Sequence, residues 1–299
     1  MRRELQVFGE HGMGIGSDTI ELLIALRNEG LISPASRVMD IGAQQLTNSL
    51  LTARERLERL GELFGATGPL EIGAPKASHV SDGGLEHLHP DAPRARDFWL
   101  WLGMSYCSLD IDGSPGSLPL DLNCDAVPTE MVGEFDVVTN FGTTEHVANQ
   151  LNAFKVVHDL TARGGLMIHQ LPAQGMFNHG LVNYNFKFFW MLARSNEYRV
   201  IWADYYHAPQ AYQLPENIVS FVRSTNRYGF DPRIAEARAS DGCLKIVMQK
   251  VIDIDYVPPI DVPTGARTKF ADLRRRYWTV FEPERLERIL RGAKDGQDV

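Results

Sequence analysis

The chain has 299 residues, of which 44% are hydrophobic and 23% are charged, and its formal net charge is −8. These proportions are typical of a globular protein and exclude a disordered, collagen-like or coiled-coil chain. The acidic balance also argues against binding to the phosphate backbone of a nucleic acid, which normally requires a basic surface.

Hydrophobic periodicity in the first part of the chain predicts alternating helices and strands. In chain order they are a helix over 18–28, a strand over 36–41, a helical stretch over 47–64, a loop rich in Gly, Pro and His over 65–93, a helix over 95–103 and a strand over 106–111. Ser17 or Asp18 is suited to cap the first helix, because short polar side chains bond the free N–H groups of a first turn.

The second part of the chain continues the alternation. It contains a strand over 135–139, a helix over 147–161, a turn at Gly164 and Gly165, a strand over 166–171, a helix over 186–195, and strands over 198–205 and 244–251. Strands that alternate with helices predict an α/β fold with a parallel or mostly parallel sheet, since parallel strands need crossover connections. We therefore expect one α/β domain over 1–251, with a long insertion at about 65–94. A helical C-terminal appendage is expected over 252–299.

Polar residues stand at the carboxyl ends of the predicted strands, where open parallel sheets bind their ligands. The residues at these ends are Asp40, Gly42, Ala43 and Gln44 after the first strand, Asp110 and Asp112 after the second, Asp121 and Asp125 after a short extended run, and residues 140–146 after the strand that begins at 135. Aspartates at such positions also act as turn formers, which is the structural alternative for each of them taken singly.

Four segments at these strand ends resemble the motifs of the class I S-adenosylmethionine-dependent methyltransferases. They are VMDIGAQ at 38–44, SLDID at 108–112, CDAVP at 124–128 and FDVVTNFGTTEHV at 135–147. The resemblance covers about residues 36–172 and departs from the family at the first motif, where several glycines are reduced to one. It implies a Rossmann-like, seven-stranded, mostly parallel sheet with helices on both faces.

The resemblance also implies a site for S-adenosylmethionine, with S-adenosylhomocysteine as the product. The positions that match the family's cofactor-binding residues are Asp40, Gly42, Ala43, Asp110, Ile111, Asp125, Ala126, Asn140 and Phe141. In this assignment Asp40 either orders the loop after the first strand or receives the ammonium group of the cofactor indirectly.

Elementary chemistry is consistent with these assignments. One carboxylate can accept hydrogen bonds from both ribose hydroxyls, for which Asp110 is best placed and Asp112 is second. The adenine amino group needs an acceptor such as Asp125, and the N–H of Ala126 can donate to a ring nitrogen. Gly42 allows a close approach to the backbone. Carboxylates also suit a cationic sulfonium better than a pyrophosphate, which they repel.

A second hypothesis places a nicotinamide dinucleotide at the glycines of GEHGMGIGSD. Gly12, Gly14 and Gly16 would form the phosphate turn, and Asp40 would bind the ribose. The spacing is GxGxG and not GxGxxG, and only the run at 5–8 is available as a preceding strand. A glycine-rich loop that covers the site from the N-terminal side fits these residues better.

His146 and Glu145 are the candidate catalytic residues, because the fold brings the methyl acceptor close to the end of the fourth strand. A neutral histidine can accept the acceptor's proton at neutral pH. The structural alternative is that His146 caps or packs the next helix. The aromatic and amide-rich segment at 170–190 is expected to overhang the site. Its candidate acceptor-binding residues are His179, Asn183, Tyr184 and Asn185.

A cluster of histidines and aspartates in the loop before the second strand raises the question of a metal. It contains His79, Asp82, His87, His89 and Asp91. The alternation His-x-His can suit zinc, but a polar surface loop is the commoner arrangement, and we predict no metal.

The chain also carries weak signals about its compartment and partners. Cys107, Cys124 and Cys243 show no CxxC spacing, and neither an apolar leader nor a run of about 18 apolar residues occurs. We expect a cytoplasmic protein without nucleic-acid or membrane partners, acting on an oxygen or nitrogen of a small molecule. Homo-oligomerisation through the C-terminal tail is a further expectation. The alternative function is a binding or regulatory protein that keeps the fold without turnover.

Overall fold

The computed structural model describes residues 14–71, 79–82, 85–88, 93–111, 116–175, 180–213, 238–259 and 261. Helices and strands alternate along this part of the chain. They are α1 (Ser17–Asn28), β1 (Arg37–Ile41), α2 (Asn48–Thr52), α3 (Arg54–Phe64), β2 (His79–Asp82), β3 (Leu85–Leu88), α4 (Ala95–Trp101), β4 (Ser105–Leu109), β5 (Ser117–Leu118), β6 (Phe135–Phe141), α5 (Gln150–Leu160), β7 (Thr161–Gln174), α6 (Phe186–Asn196), β8 (Arg199–Gln213) and β9 (Arg238–Gln249).

Seven of the described strands form one sheet in the order β5-β4-β1-β6-β7-β9-β8. The strands from β5 to β7 are parallel to their neighbours, whereas β9 is antiparallel to both β7 and β8. The predicted seven-stranded, mostly parallel sheet is therefore confirmed. The chain moves outward from β1 in one direction to β4 and β5 and in the other to β6 and β7, so β1 marks the point where the connections change direction.

The sheet separates two apolar cores. Helices α1, α3 and α4 cover one face, where Val38 of β1 lies, and α5 and α6 cover the other face, where Met39 and Ile41 lie. Because both faces of β1 are covered, its side chains are buried from Val38 to Ile41. Since helices cover both faces of the sheet, polar side chains are accommodated at the ends of the strands.

Several boundaries differ from the sequence-based prediction. The helical stretch at 47–64 is two helices, because Ala53 has φ −83° and ψ 49°, which is not helical. The N-cap residue of α1 is Gly16, and the N–H of Ser17 donates to the hydroxyl of Ser49 at 3.3 Å, so the proposed cap at Ser17 or Asp18 is wrong. The expected turn at Gly164 and Gly165 lies within β7.

Two features of the strand pairing were also not predicted. The strands β2 and β3 pair as an antiparallel hairpin inside the segment predicted to be a loop. The strands β8 and β9 pair over a much longer stretch than the apolar runs suggested, from Arg199 opposite Gln249 to Gln213 opposite Arg238. Beyond the apolar runs, hydrogen bonds between the two antiparallel backbones extend the strands without a pattern of apolar side chains.

Residues 252–259 pack against the α/β domain. The imidazole of His158 lies 2.7 Å from the carbonyl of Ile254, and Asn196 exchanges two hydrogen bonds of 2.8 Å with the backbone of Val257. Of the predicted helical appendage over 252–299, residues 252–259 form no helix, and the rest, apart from residue 261, lies outside the described residues.

Candidate active site

The carboxyl ends of β4, β1 and β6 lie side by side at the centre of the sheet. In the register, Ile41 is opposite Leu109 of β4, and Asp40 is opposite Thr139 of β6. This is the switch point at which open α/β sheets bind ligands. The residues that follow three separate predicted strands are therefore neighbours in space.

Backbone hydrogen bonds tie the loop after β1 to the end of β4. Gly42 has φ +84°, and its N–H donates to the carbonyl of Leu109 at 2.8 Å. The N–H of Ala43 donates to a carboxylate oxygen of Asp110, also at 2.8 Å. Asp110 is thus oriented by the loop that the resemblance assigns to the cofactor.

An apolar side chain stands in solvent next to this carboxylate. Ile111 directly follows Asp110 and is 66% exposed, although it is a large aliphatic residue. Asp110 itself is half-buried. A carboxylate beside an exposed aliphatic surface is suited to hold a sugar hydroxyl pair and an adjoining planar ring. Asp112, the second candidate for the ribose, lies outside the described residues.

Asp125 closes a turn next to this end of the sheet. Its carboxylate accepts a hydrogen bond of 2.7 Å from the N–H of Asp121, which matches the turn-former alternative for this residue. Asp125 and Ala126 are both exposed. The side chain of Asn152 in α5 donates to the carbonyls of Leu122 and Asp125, so this turn is fixed to the helix. The sequence analysis did not identify Asn152, because an amide on a helix has no distinctive spacing.

Asp40 lies beneath the loop and not on its surface. Its carboxyl group is fully buried and accepts hydrogen bonds from the hydroxyls of Tyr106 and Thr139. Burial raises the pKa of Asp40 to about 7, and the two hydroxyl bonds oppose that rise. The structure places Asp40 as a support of β1 and its loop.

The side chains of Asn140 and Phe141 are also turned into the protein. Phe141 has no exposed surface. The amide of Asn140 donates to the hydroxyl of Thr144 at 2.8 Å and contacts Nδ1 of His169 at 3.1 Å, and its oxygen accepts from the N–H of Thr144. Burial lowers the pKa of His169 to about 3, so this ring is neutral at pH 7. The side chains of Asn140 and Phe141 are therefore not accessible to a ligand at the strand ends.

Glu145 and His146 lie in a short 3₁₀ turn, Thr144–His146, that follows β6. The side chain of His146 is 48% exposed, whereas that of Glu145 is fully buried, and Nε2 of the ring lies 3.9 Å from a carboxyl oxygen of Glu145. An accessible imidazole beside a buried carboxyl group is an arrangement that can accept a proton from a ligand.

The segment before α6 folds over this turn. The carbonyl of Glu145 accepts hydrogen bonds from Leu181 at 2.8 Å and Val182 at 3.1 Å. A Cβ at Gly180 would lie 2.7 Å from Cγ of Glu145, so a glycine is required for this close approach. The sequence-based expectation that this segment overhangs the strand end agrees with these contacts.

The predicted acceptor-binding residues have different surroundings. Tyr184 is buried, and its hydroxyl donates to the amide oxygen of Gln150 at 2.5 Å and lies 3.0 Å from the hydroxyl of Thr144, so it anchors the segment. Asn185 accepts from the N–H of Phe188 and caps α6. Asn183 is exposed, and its amide donates to the carbonyl of Gly175. His179 lies outside the described residues.

The glycine segment before α1 packs on the loop after β1. The N–H of Ile15 donates to the carbonyl of Gln45 at 2.9 Å, and Thr47 donates to the carbonyl of Ile15 at 3.0 Å. A Cβ at Gly14 would lie 2.7 Å from the Gln45 carbonyl oxygen. This contact between two backbones is sufficient to explain the glycine at position 14, and no phosphate-binding role is needed. It agrees with a loop that covers the site better than with a dinucleotide-binding turn.

The described residues contain no group of three or more His, Cys, Asp or Glu side chains placed to hold a metal ion. The side chains of His79, Asp82 and His87, and residues His89 and Asp91 altogether, lie outside the description. Cys107, Cys124 and Cys243 are free thiols. Within the described ranges, no helix is both long and apolar enough to span a bilayer.

The chain matches no protein-family model and no curated protein sequence. Among solved structures it is similar to a 1,6-didemethyltoxoflavin N1-methyltransferase from Burkholderia thailandensis, at 11% identity and a TM-score of 0.38, covering 78% of each chain. The strand order, with β9 antiparallel between β7 and β8, gives the Rossmann-like, mostly parallel α/β sheet that the resemblance to the class I methyltransferases implies.

Two further solved structures are similar to the chain at low identity. A phosphoethanolamine N-methyltransferase 2 from Haemonchus contortus is 11% identical with a TM-score of 0.38, covering 81% of this chain and 55% of that one. The [4+2]-cyclase SpnF is 8% identical with a TM-score of 0.40, covering 82% and 86%. Similarities of this size leave the function to be argued from the site itself.

Proposed function

We propose that this protein is an S-adenosylmethionine-dependent methyltransferase that transfers a methyl group to an oxygen or nitrogen of a small molecule. The observation that carries the proposal is the end of β4 at the switch point of the sheet. There Asp110 is tied to the N–H of Ala43 and is followed by the exposed Ile111.

The described residues fit the adenosine part of S-adenosylmethionine. Asp110 would accept from the ribose hydroxyls, and Ile111 would cover one face of the adenine. Asp125 and Ala126 are exposed and would bind the adenine edge, with the carboxylate accepting from the amino group and the N–H donating to a ring nitrogen. The loop at Gly42 and Ala43 would face the methionine part.

The bound cofactor would supply an electrophilic methyl group on a positively charged sulfur. The carboxylates of Asp110 and Asp125 favour a cationic ligand over an anionic pyrophosphate, which also weakens the nicotinamide alternative. Orientation of the acceptor by the segment around 180–185 would provide most of the acceleration. No charged tetrahedral intermediate forms in such a displacement, so no oxyanion hole is needed.

His146 would accept the proton that the acceptor loses. Its ring is accessible, and the carboxyl group of Glu145, 3.9 Å from Nε2, would hold the protonated ring in place. General base catalysis of this kind contributes about 10²–10⁴-fold. The acceptor-side partners would be Asn183 and His179, whereas Tyr184 and Asn185 would act by fixing the segment.

A second candidate is a protein that binds S-adenosylmethionine without turnover. The observation that favours it is the first motif, in which the several glycines of the resembling family are reduced to Gly42 and a side chain from the end of β6 bonds to the loop. Transfer of a labelled methyl group to any compound in a metabolite extract would exclude this candidate.

Calorimetry with S-adenosylhomocysteine and with NADH tests the proposal directly. We expect the first ligand to bind and the second not to bind, and mass spectrometry of the undialysed protein should show the first or its methylated precursor. Binding of NADH without binding of S-adenosylhomocysteine would refute the methyltransferase assignment.

A further inference from the structure

Side-chain hydrogen bonds hold the loop after β1, where the resembling family uses several glycines. The hydroxyl of Thr143, which follows β6, donates to the carbonyl of Ile41 at 2.7 Å. The same oxygen accepts a hydrogen bond of 3.0 Å from the amide of Gln44, and that amide also lies 3.1 Å from the Ile41 carbonyl. The three groups close a small ring across the loop, which we call the Gln44–Thr143 lock.

The lock explains why residue 42 is a glycine. A Cβ on Gly42 would overlap the hydroxyl oxygen of Thr143, and the φ of +84° is itself unfavourable for other residues. Gly42 was predicted to let the cofactor approach the backbone closely. The structure restricts this prediction, because on the side where a Cβ would stand the space is filled by Thr143.

The lock also sets the direction of the peptide groups in the loop. The N–H of Gly42 belongs to the same peptide group as the carbonyl of Ile41, so it points the other way, to the carbonyl of Leu109. The N–H of the next residue, Ala43, donates to Asp110. Gln44 and Thr143 are both half-buried, so the lock lies at the border of the site and not in the core. In this chain two side chains therefore hold the loop, whereas the resembling family has additional glycines at this place.

We propose that Gln44 and Thr143 are positioning residues that orient this loop for the methionine part of the cofactor. The proposal rests on the proposed function. Asp110 has a second anchor, because its N–H donates to the carbonyl of Leu118 at 2.9 Å. Loss of the lock should therefore impair recognition of the methionine part much more than recognition of the adenosine part.

Two ligands separate these effects: S-adenosylhomocysteine, and adenosine, which lacks the amino-acid part. In Thr143→Val the shape is kept and the hydroxyl is lost, so two hydrogen bonds disappear. We expect affinity for S-adenosylhomocysteine to fall about tenfold and affinity for adenosine to change less than about twofold, both by calorimetry. Thr143→Ser keeps the hydroxyl and should retain most of the wild-type affinity for both ligands. Gln44→Met should act in the same direction as Thr143→Val.

Thr161→Val is the matched control. The hydroxyl of Thr161 also donates to a backbone carbonyl, that of Val157 at 2.6 Å, but it lies at the opposite end of the sheet, paired with Phe135. Its removal should leave both affinities unchanged. Thermal unfolding of each variant shows whether the protein is folded at the temperature of the titration.

The possible results are distinguishable. A selective loss for S-adenosylhomocysteine in Thr143→Val, with recovery in Thr143→Ser, supports the lock. Equal losses for both ligands, or no loss in a folded variant, would overturn it while leaving the proposed function intact. Failure of the wild-type protein to bind either ligand would overturn both proposals together.

Discussion

Replacement of Asp40 by Asn is expected to remove a large part of the pH dependence of stability. The carboxyl group of Asp40 is fully buried in β1, and burial raises its pKa from 3.8 to about 7. Between these pH values the folded protein keeps a proton that the unfolded chain has released. The free energy of unfolding must therefore fall as the pH rises through this interval, and it levels off above pH 7.

The size of the effect follows from the pKa difference. Each pH unit between the two pKa values contributes about 1.4 kcal/mol, so the whole interval corresponds to about 4 kcal/mol. This is a large share of the 5–15 kcal/mol that is typical for a folded domain. The Asn variant has no titrating group at this position, so its stability relative to the wild type should rise by about 4 kcal/mol between pH 4 and pH 8.

Urea unfolding at several pH values, followed by tryptophan fluorescence, measures this difference. Thr139→Val is a useful second variant, because it removes a hydroxyl that bonds the carboxylate and lowers the pKa. It should extend the loss of stability to higher pH. If the difference between Asp40→Asn and the wild type is the same at every pH, Asp40 does not titrate in this range and the argument from burial is wrong.

Three further predictions concern the site and its surroundings. Asp110→Ala should weaken binding of S-adenosylhomocysteine by about 1–3 kcal/mol in calorimetry, whereas Asp136→Ala, at the start of β6, should not change it. His146→Ala should keep cofactor affinity and lower turnover at least about a hundredfold, and the wild-type rate should rise with pH through the histidine pKa. Full turnover of the variant at every pH would remove His146 from the mechanism. Lys245 of β9 has a side chain that is only 5% exposed and pairs with Asp18 of α1 at 2.5 Å, while Asp18 is 38% exposed. Asp18→Asn should therefore destabilise the protein by about 2 kcal/mol in urea unfolding, and Lys245→Met should cost less because no buried charge remains; equal losses would contradict this reasoning.

The order of helices and strands could largely be predicted from the sequence, because each element carries its own periodicity. The run at 36–41 is apolar on both faces of the strand, and β1 proves to be covered on both sides. The antiparallel position of β9 between β7 and β8 carries no local signal, since it depends on pairing between strands that are distant along the chain. The break at Ala53 and the hairpin of β2 and β3 are local features, and hydrophobic periodicity did not reveal them.

The candidate site shows the same division. Residues at strand ends could be identified from position alone, which is how Asp110 and His146 were found. Their accessibility could not be identified in this way. Asp40 and His146 are both polar residues near strand ends, yet one is fully buried and the other is half-exposed, because neighbouring elements cover only the first.

The sequence by itself determined the fold class and the positions at which chemistry-bearing residues stand, because hydrophobic period and strand-end position are local properties of the chain. Only the tertiary structure decided which of those residues reach the surface and what holds the loop after β1. Gln44 and Thr143 are 99 residues apart along the chain, and their hydrogen bond exists because β1 and β6 pair in one register. No local pattern encodes such a contact, since the packing of the whole sheet brings the two side chains together.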